Sequence, residues 1–155
     1  MPYLVDGNNV MALIPGWHRD KAAARRKLIH ELTRFVAVRR AKVRVVFDGV
    51  PDEEFPEGRR FRSVLISYAK SGSDADSRIK DVIRKSSYKR DLLVVSSDRS
   101  LGAFAKSYGA KVISSGEFRK ELEETWAAEA PTLKTQPEGL VNVEEWIEFF
   151  NKKPH

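Results

Sequence analysis

The sequence predicts an α/β sandwich with a mainly parallel central sheet, folded as one domain over residues 1–155. Two observations predict it. Short apolar runs alternate with stretches of helical period along most of the chain, which is how parallel strands joined by helical crossovers read. The length of 155 residues, 41% of them apolar, also suits one core.

Taken in order, Tyr3 to Val5 reads as a buried first strand that runs into a turn signal, Asp6-Gly7-Asn8-Asn9. Residues 20 to 40 have helical period. Leu28, Ile29, Leu32, Phe35 and Val36 form one stripe, with Arg25, Arg26, Arg34 and Arg39 largely off it. Val43 to Phe47 is a second buried strand closed by Asp48-Gly49, and an acidic, proline-containing loop fills 51–58. Phe61 to Tyr68 reads as a third strand, whose neighbouring arginines mark an exposed edge. After Ser71-Gly72-Ser73 a helix extends to about Ser87. Leu92 to Val95 is a strand ending at Ser96-Ser97-Asp98, and a short helix carries Leu101, Phe104 and Ala105. Lys111 to Ile113 is a last strand, and Ser115 is placed to cap a helix running to about Ala128. Beyond it come an irregular connector, 131–139, and a final helix from about 142 to 151, forming a helical extension. Trp126 and Trp146 are expected to pack inward.

Composition narrows the functional classes. Lys and Arg number 28 against 22 Asp and Glu, a net charge of +6, which favours an anionic partner such as nucleic acid. The absence of cysteine excludes disulfides, thiolate zinc sites and cysteine nucleophiles. The N-terminus lacks the features of a signal peptide, and no apolar run is long enough to span a bilayer. The expectation is a cytoplasmic protein without a membrane partner, a monomer or weak dimer.

Three apolar strands end in an aspartate: Asp6, Asp48 and Asp98. Parallel neighbouring strands would bring these to one edge of the sheet, where open α/β folds bind ligands. Asp76, Ile79 and Ile83 stand at i, i+3 and i+7, so Asp76 is expected to point inward from the first turn of its helix; Asp74 points away from it. Gathered carboxylates repel one another unless a cation neutralises them. Oxygen-only donors suit Mg²⁺ or Mn²⁺, which activate water and stabilise charge on a phosphate. Each acid also has a plainer role open to it: Asp98 and Asp74 fit helix caps, and Asp48-Gly49 fits a turn.

Between residues 19 and 44 stand ten Lys or Arg and only two acids, Asp20 and Glu31. With the basic residues of helix 74–87, they are candidates for phosphate contacts, among them Arg19, Arg25, Arg26 and Arg78. Arg99, beside the third acid, is the best placed. Trp17, in the loop after the first strand, is a candidate for stacking on a base or for covering the core.

These motifs resemble those of the NYN domains of the PIN-like nuclease superfamily. Leu4-Val5-Asp6-Gly7-Asn8-Asn9 resembles the opening motif, and Val46-Phe47-Asp48-Gly49 fits the second strand. Ser73-Asp74-Ala75-Asp76 and Val94-Val95-Ser96-Ser97-Asp98-Arg99 resemble the second and third acidic motifs. Over roughly residues 2 to 115 the order and spacing are most similar to the bacterial YacP-like group, which includes a ribosome-associated messenger RNA endonuclease. The resemblance implies a PIN-like three-layer α/β/α fold and metal-dependent hydrolysis of RNA, messenger RNA on the ribosome above all. Carried over by position, Asp6, Asp76 and Asp98 are the catalytic and metal-binding triad and Asp74 an auxiliary metal-binding acid. Asn8, Asn9, Asp48 and Ser97 support them. The stretch Asp98-Arg99-Ser100-Leu101 lacks the fourth acid that many PIN-like sites carry, which puts a second metal ion in question.

Two other classes compete. A domain of this fold that holds RNA or a ribosome without cutting would keep the basic surface and lose the chemistry. A phosphotransfer enzyme with a dehalogenase-like nucleophile would want Asp-x-Asp after strand one, whereas Asp6 is followed by Gly7 and Asn8.

Overall fold

A computed structural model of the chain describes residues 2–49, 51–69, 74–87 and 89–135, with side chains to Ala127. Its elements are β1 (Pro2–Asp6), α1 (Gly7–Met11), α2 (Lys21–Arg39), β2 (Lys42–Phe47), β3 (Arg60–Phe61), β4 (Val64–Tyr68), α3 (Ala75–Lys85), β5 (Leu93–Val95), α4 (Arg99–Ser107), β6 (Lys111–Ile113) and α5 (Ser115–Thr135). The strands form one sheet in the order β3-β4-β2-β1-β5-β6. All pairings are parallel except the β3–β4 edge, as the alternation of strands and helices implies.

Side-chain alternation along the strands divides the interior in two. Val5, Val45 and Val95 face one cluster, covered by Val10 of α1, Leu28 and Phe35 of α2 and Phe118 of α5. Leu4, Val46 and Val94 face the other, covered by Ile79 and Ile83 of α3 and Leu101 of α4. Helices therefore lie on both faces of the sheet in the three-layer arrangement.

Several local expectations change. The stretch Asp6-Gly7-Asn8-Asn9 is no open turn: β1 passes straight into α1. A side chain at Gly7 would put its Cβ 2.5 Å from the Phe47 ring and 2.9 Å from the Val46 carbonyl oxygen, so only glycine lets the helix start this close to β2. The strand expected over 61–68 is a hairpin, broken where Arg62 takes a φ of 57°. Its outer strand has two residues, a short edge that offers little for another chain to pair with. The cap of α5 is Ser114 rather than Ser115. Ser114 Oγ accepts from Glu117 N at 3.1 Å, and Glu117 Oε1 accepts from Ser114 N at 3.4 Å, a reciprocal capping box. The helix continues to Thr135, into the stretch 131–139 expected to be a connector, the rest of which lies outside the described residues. Trp126 lies on the surface under the Arg34 guanidinium, 3.8 Å from the ring centroid, instead of in the core. Trp146 and the final helix expected over 142–151 fall outside the described residues.

Gly7→Ala is expected to destabilise the fold by about 1–3 kcal/mol, the usual cost of overpacking a close contact, measured by urea denaturation.

Candidate active site at the ends of three strands

The middle strand, β1, has β2 on one side and β5 on the other, so the chain's direction of winding reverses beside it. Such a switch point leaves a crevice at the carboxyl ends of the strands. Asp6, the last residue of β1, is in register with Val46 on β2; one residue earlier, Val5 is in register with Val95 on β5. Asp6 shares its face with Leu4 and therefore points to the α3–α4 side. Asp48 and Ser96 lie one residue beyond β2 and β5.

Two asparagines of α1 tie these ends together. Asn8 Oδ1 accepts from Asp48 N at 2.9 Å. Asn9 Oδ1 accepts from Ser97 N at 2.8 Å and from the Ser115 hydroxyl. Both side chains span from the central strand's helix to a neighbouring strand, one in each direction. Ser97 supports the rim from outside: its hydroxyl oxygen accepts from Ser115 N at 3.0 Å.

The buried residue next to the first acid is Ser96, which the sequence reading passed over in favour of Ser97. Ser96 Oγ donates to Asp6 Oδ2 at 3.0 Å and accepts from Asp98 N at 3.1 Å. Alternation from Val94 would have pointed to it, since Ser96 falls on the face that Asp6 occupies. Asp98 is connected to Asp6 through this serine. Its own carboxylate caps α4, with Oδ1 accepting from Leu101 N at 3.0 Å. Asp74 is an exposed cap of α3, accepting from Ser77 N at 2.9 Å, and that backbone bond holds its carboxyl below the usual range.

Asp76 sits in the first turn of α3 and is half-buried, paired with Lys80 at 3.0 Å. It therefore does not point as far inward as Ile79 and Ile83, whose face it was expected to share. Asp48 Oδ1 accepts from Ala75 N at 2.6 Å, so this acid fastens the start of α3 to the end of β2. The charge on Asp6 is the unusual one. Burial pushes its carboxyl up to about 6, against hydrogen bonds from Ser96 and the Asn9 backbone that favour the anion; the charges of Asp48 and Asp76 add to the rise. Asp6 thus lies within the field of both Asp48 and Asp76. Among the described residues, no three acidic or histidine side chains form a ready-made set of metal ligands. The donors are nonetheless oxygen only and anionic, the chemistry that fits Mg²⁺ or Mn²⁺.

The basic candidates divide. Arg99 is exposed at the start of α4, beside Asp98, and Arg19 is exposed before α2. Arg26 is held by Asp52 at 2.9 Å and Glu54 at 3.7 Å, so it anchors the acidic loop. Arg25 lies over the Phe47 and Tyr68 rings at 5.6 and 5.5 Å. Arg78 donates to the Tyr68 carbonyl at 2.9 Å and pairs with Glu57 at 3.2 Å. Trp17 is half-buried against the core with Lys21 at 5.6 Å from its ring, closer to the covering role than to an open stacking platform.

A pH prediction follows from Asp6. Its carboxyl binds a proton more tightly in the folded protein than in the unfolded chain, where it has its ordinary value of 3.8. Acid therefore favours the fold through this group: the ionised residue costs stability above pH 6, and the cost disappears as pH falls through 6 towards 4. Denaturation of wild type and Asp6→Asn across this window should show the variant more stable at pH 7.5 by about 2 kcal/mol and the difference closing by about pH 4.

The match to known proteins agrees with this geometry. The family model for the YacP-like NYN domain matches residues 3–144. Among solved structures, Rae1 (YacP) from Bacillus subtilis has 25% sequence identity and a TM-score of 0.76, the alignment covering 98% of this chain and 93% of that one. A W164L mutant of the same protein, at 24% identity and a TM-score of 0.70, covers 86% of this chain and 81% of that one and likewise shares the fold. No curated protein matches. In the described residues no helix is long and apolar enough to cross a membrane. These matches imply a nuclease-like, RNA-related function on a PIN-like α/β sandwich, and the chain belongs to the YacP-like NYN domain family.

Proposed function

We propose that this protein is a metal-dependent endoribonuclease that hydrolyses RNA phosphodiester bonds, with messenger RNA on the ribosome as its substrate. The observation that carries the reading is the half-buried Asp6 carboxylate at the switch point, hydrogen-bonded by Ser96, raised to about 6 and within the field of Asp48 and Asp76. Asp48 and Asp76 have structural partners in Ala75 N and Lys80, but Asp6 faces their charges without a cationic partner among the described residues, so its placement is the one that needs a chemical reason.

Asp6 and Asp76 would hold Mg²⁺ or Mn²⁺, with Asp98 and Asp74 as further oxygen donors. The ion supplies positive charge at the phosphate and lowers the pKa of water. Ser96 orients Asp6 through its hydroxyl and fixes the backbone of Asp98. Lys80 balances Asp76 in the free protein and would exchange that partner for a phosphate oxygen once Asp76 holds the ion. Arg99, exposed beside Asp98, is the phosphate contact on the opposite side.

A domain that binds RNA without cutting it is the second reading. The cap made by Asp98 and the Asp76–Lys80 pair favour it, because both give those acids a structural occupation.

Three variants separate the two readings. Asp6→Asn should reduce cleavage of a single-stranded RNA in Mg²⁺ or Mn²⁺ on the order of 100-fold, with RNA binding kept. Asp98→Asn keeps a good helix cap, so its thermal stability should stay within a few tenths of a kcal/mol while its cleavage rate falls. Ser96→Ala should lose about 10–100-fold, as expected when the support of a ligand is removed. Unaltered cleavage by Asp6→Asn would overturn the catalytic assignment; RNA bound but never cut by the wild type would establish the binding-only reading.

A further inference from the structure

Beside α3 runs an open cleft of about 650 Å³, separate from the acidic centre. Arg44, Arg78, Arg84 and Lys85 line it, with Asp81 and Ser77. The one carboxylate among these is paired with Lys85 at 3.0 Å. The position of Arg44 is the least expected feature. It lies in the middle of β2, in register with Leu4 on one side and Leu65 on the other, between strands that pack an apolar interior. Its Nε is buried without a hydrogen-bond partner among the described residues. Burial and the neighbouring Arg78 lower its pKa, with Glu57 acting in the opposite direction. A fold would ordinarily place an apolar side chain at such a position, which would cost less.

The cleft has a direction. Ser77, at its upper end, directly follows Asp76 of the acidic site, and Lys85 lies at the far end of α3. At 1.5 Å per residue, the helix carries the cations about 13 Å away from the site in a line rather than a cluster. A linear series of cations that starts at the acidic centre matches a polymer of phosphates better than a single anion.

We propose that this cleft is a phosphate-binding track for the single RNA strand that enters or leaves the acidic site, with Arg44 as its buried anchor. The inference rests on RNA being the substrate and deepens that reading by assigning a path to the strand. Arg44 presents to a backbone phosphate the part of its guanidinium that lines the cleft, while its Nε stays buried beneath. Arg84 and Lys85, the latter exchanging Asp81 for phosphate, hold the next phosphates out, while Arg78, engaged by Glu57 and the Tyr68 carbonyl, forms the wall at the junction with the site.

The test is binding of a short fluorescein-labelled single-stranded RNA, followed by anisotropy in EDTA so that no cleavage is needed. Two variants are used. Arg84→Gln/Lys85→Gln alters the exposed end of the helix. Arg44→Met keeps an apolar stem and removes the unmatched guanidinium. Each should weaken binding roughly fivefold or more, and the double variant should reduce the slope of log affinity against log salt by about 1.4, two phosphates' worth. Arg44→Met should also be at least as stable as wild type in urea, which a structural arginine would not be. Unchanged affinity and slope in both variants would overturn the track, as would polyglutamate displacing the RNA as effectively as unlabelled RNA does. If the variants bind weakly as expected but the wild type never cuts RNA in Mg²⁺ or Mn²⁺, the nuclease reading fails and the track stands.

Discussion

The structure depends on the parallel pairing of β1 with β2 on one side and β5 on the other. Every feature of the site follows from it. The pairing sets Asp6 level with the ends of both neighbours, and it puts Asp6 on the face covered by α3 and α4. It also leaves the helix that follows β1 within reach of both. Asn8 and Asn9 use that reach in opposite directions, so two adjacent residues fix three strand ends. Gly7 is the steric condition for this: without a side chain, α1 begins against Phe47 rather than a residue later.

The energetic balance of the site is uneven. Hydrogen bonds from Ser96 and the Asn9 backbone favour an ionised Asp6, and burial with the charges of Asp48 and Asp76 opposes it. Burial prevails. The opposite case is nearby: Asp52 is also pushed up by burial, yet its bonds with Arg26 and the Glu54 backbone hold it below the usual range. The two acids differ in what faces them. Asp52 has a guanidinium and belongs to the architecture of a loop, whereas Asp6 has a serine, two carboxylates and a crevice. A group kept at such a disadvantage suits a ligand that carries positive charge.

Much of this was legible in the sequence. Strand endings at Asp6, Asp48 and near Asp98 gave the edge of the sheet where acids collect, and helical spacing placed Asp76 at the start of α3. What the sequence concealed was mostly a matter of partners at long range. Ser96 and Ser97 look alike in a row, and only the register with β1 decides which one is inside. Arg26 and Arg78 look like free cations until the acidic loop folds back and engages them through Asp52 and Glu57. The hairpin over 60–68 was hidden because a single residue in a left-handed conformation divides it, and Arg62 is not a residue that announces one. Ser114 and Ser115 were ambiguous as caps until Glu117 selected between them.

The splints formed by Asn8 and Asn9 have a consequence for how the protein comes into being. Asn8 reaches a residue 40 positions further along the chain, and Asn9 reaches one 88 positions away. None of these links can form while the chain is still short, and the bond between Ser96 and Asp6 closes over 90 residues. A growing chain that has not yet reached β5 therefore lacks the serine bond that orients Asp6. The ties from Ser96 to Asp6 and from Asn9 to Ser97 come into existence only once β5 has been made and docked beside β1. Asp6 thus gains its full set of partners only through contacts that join distant stretches of the folded domain's sequence.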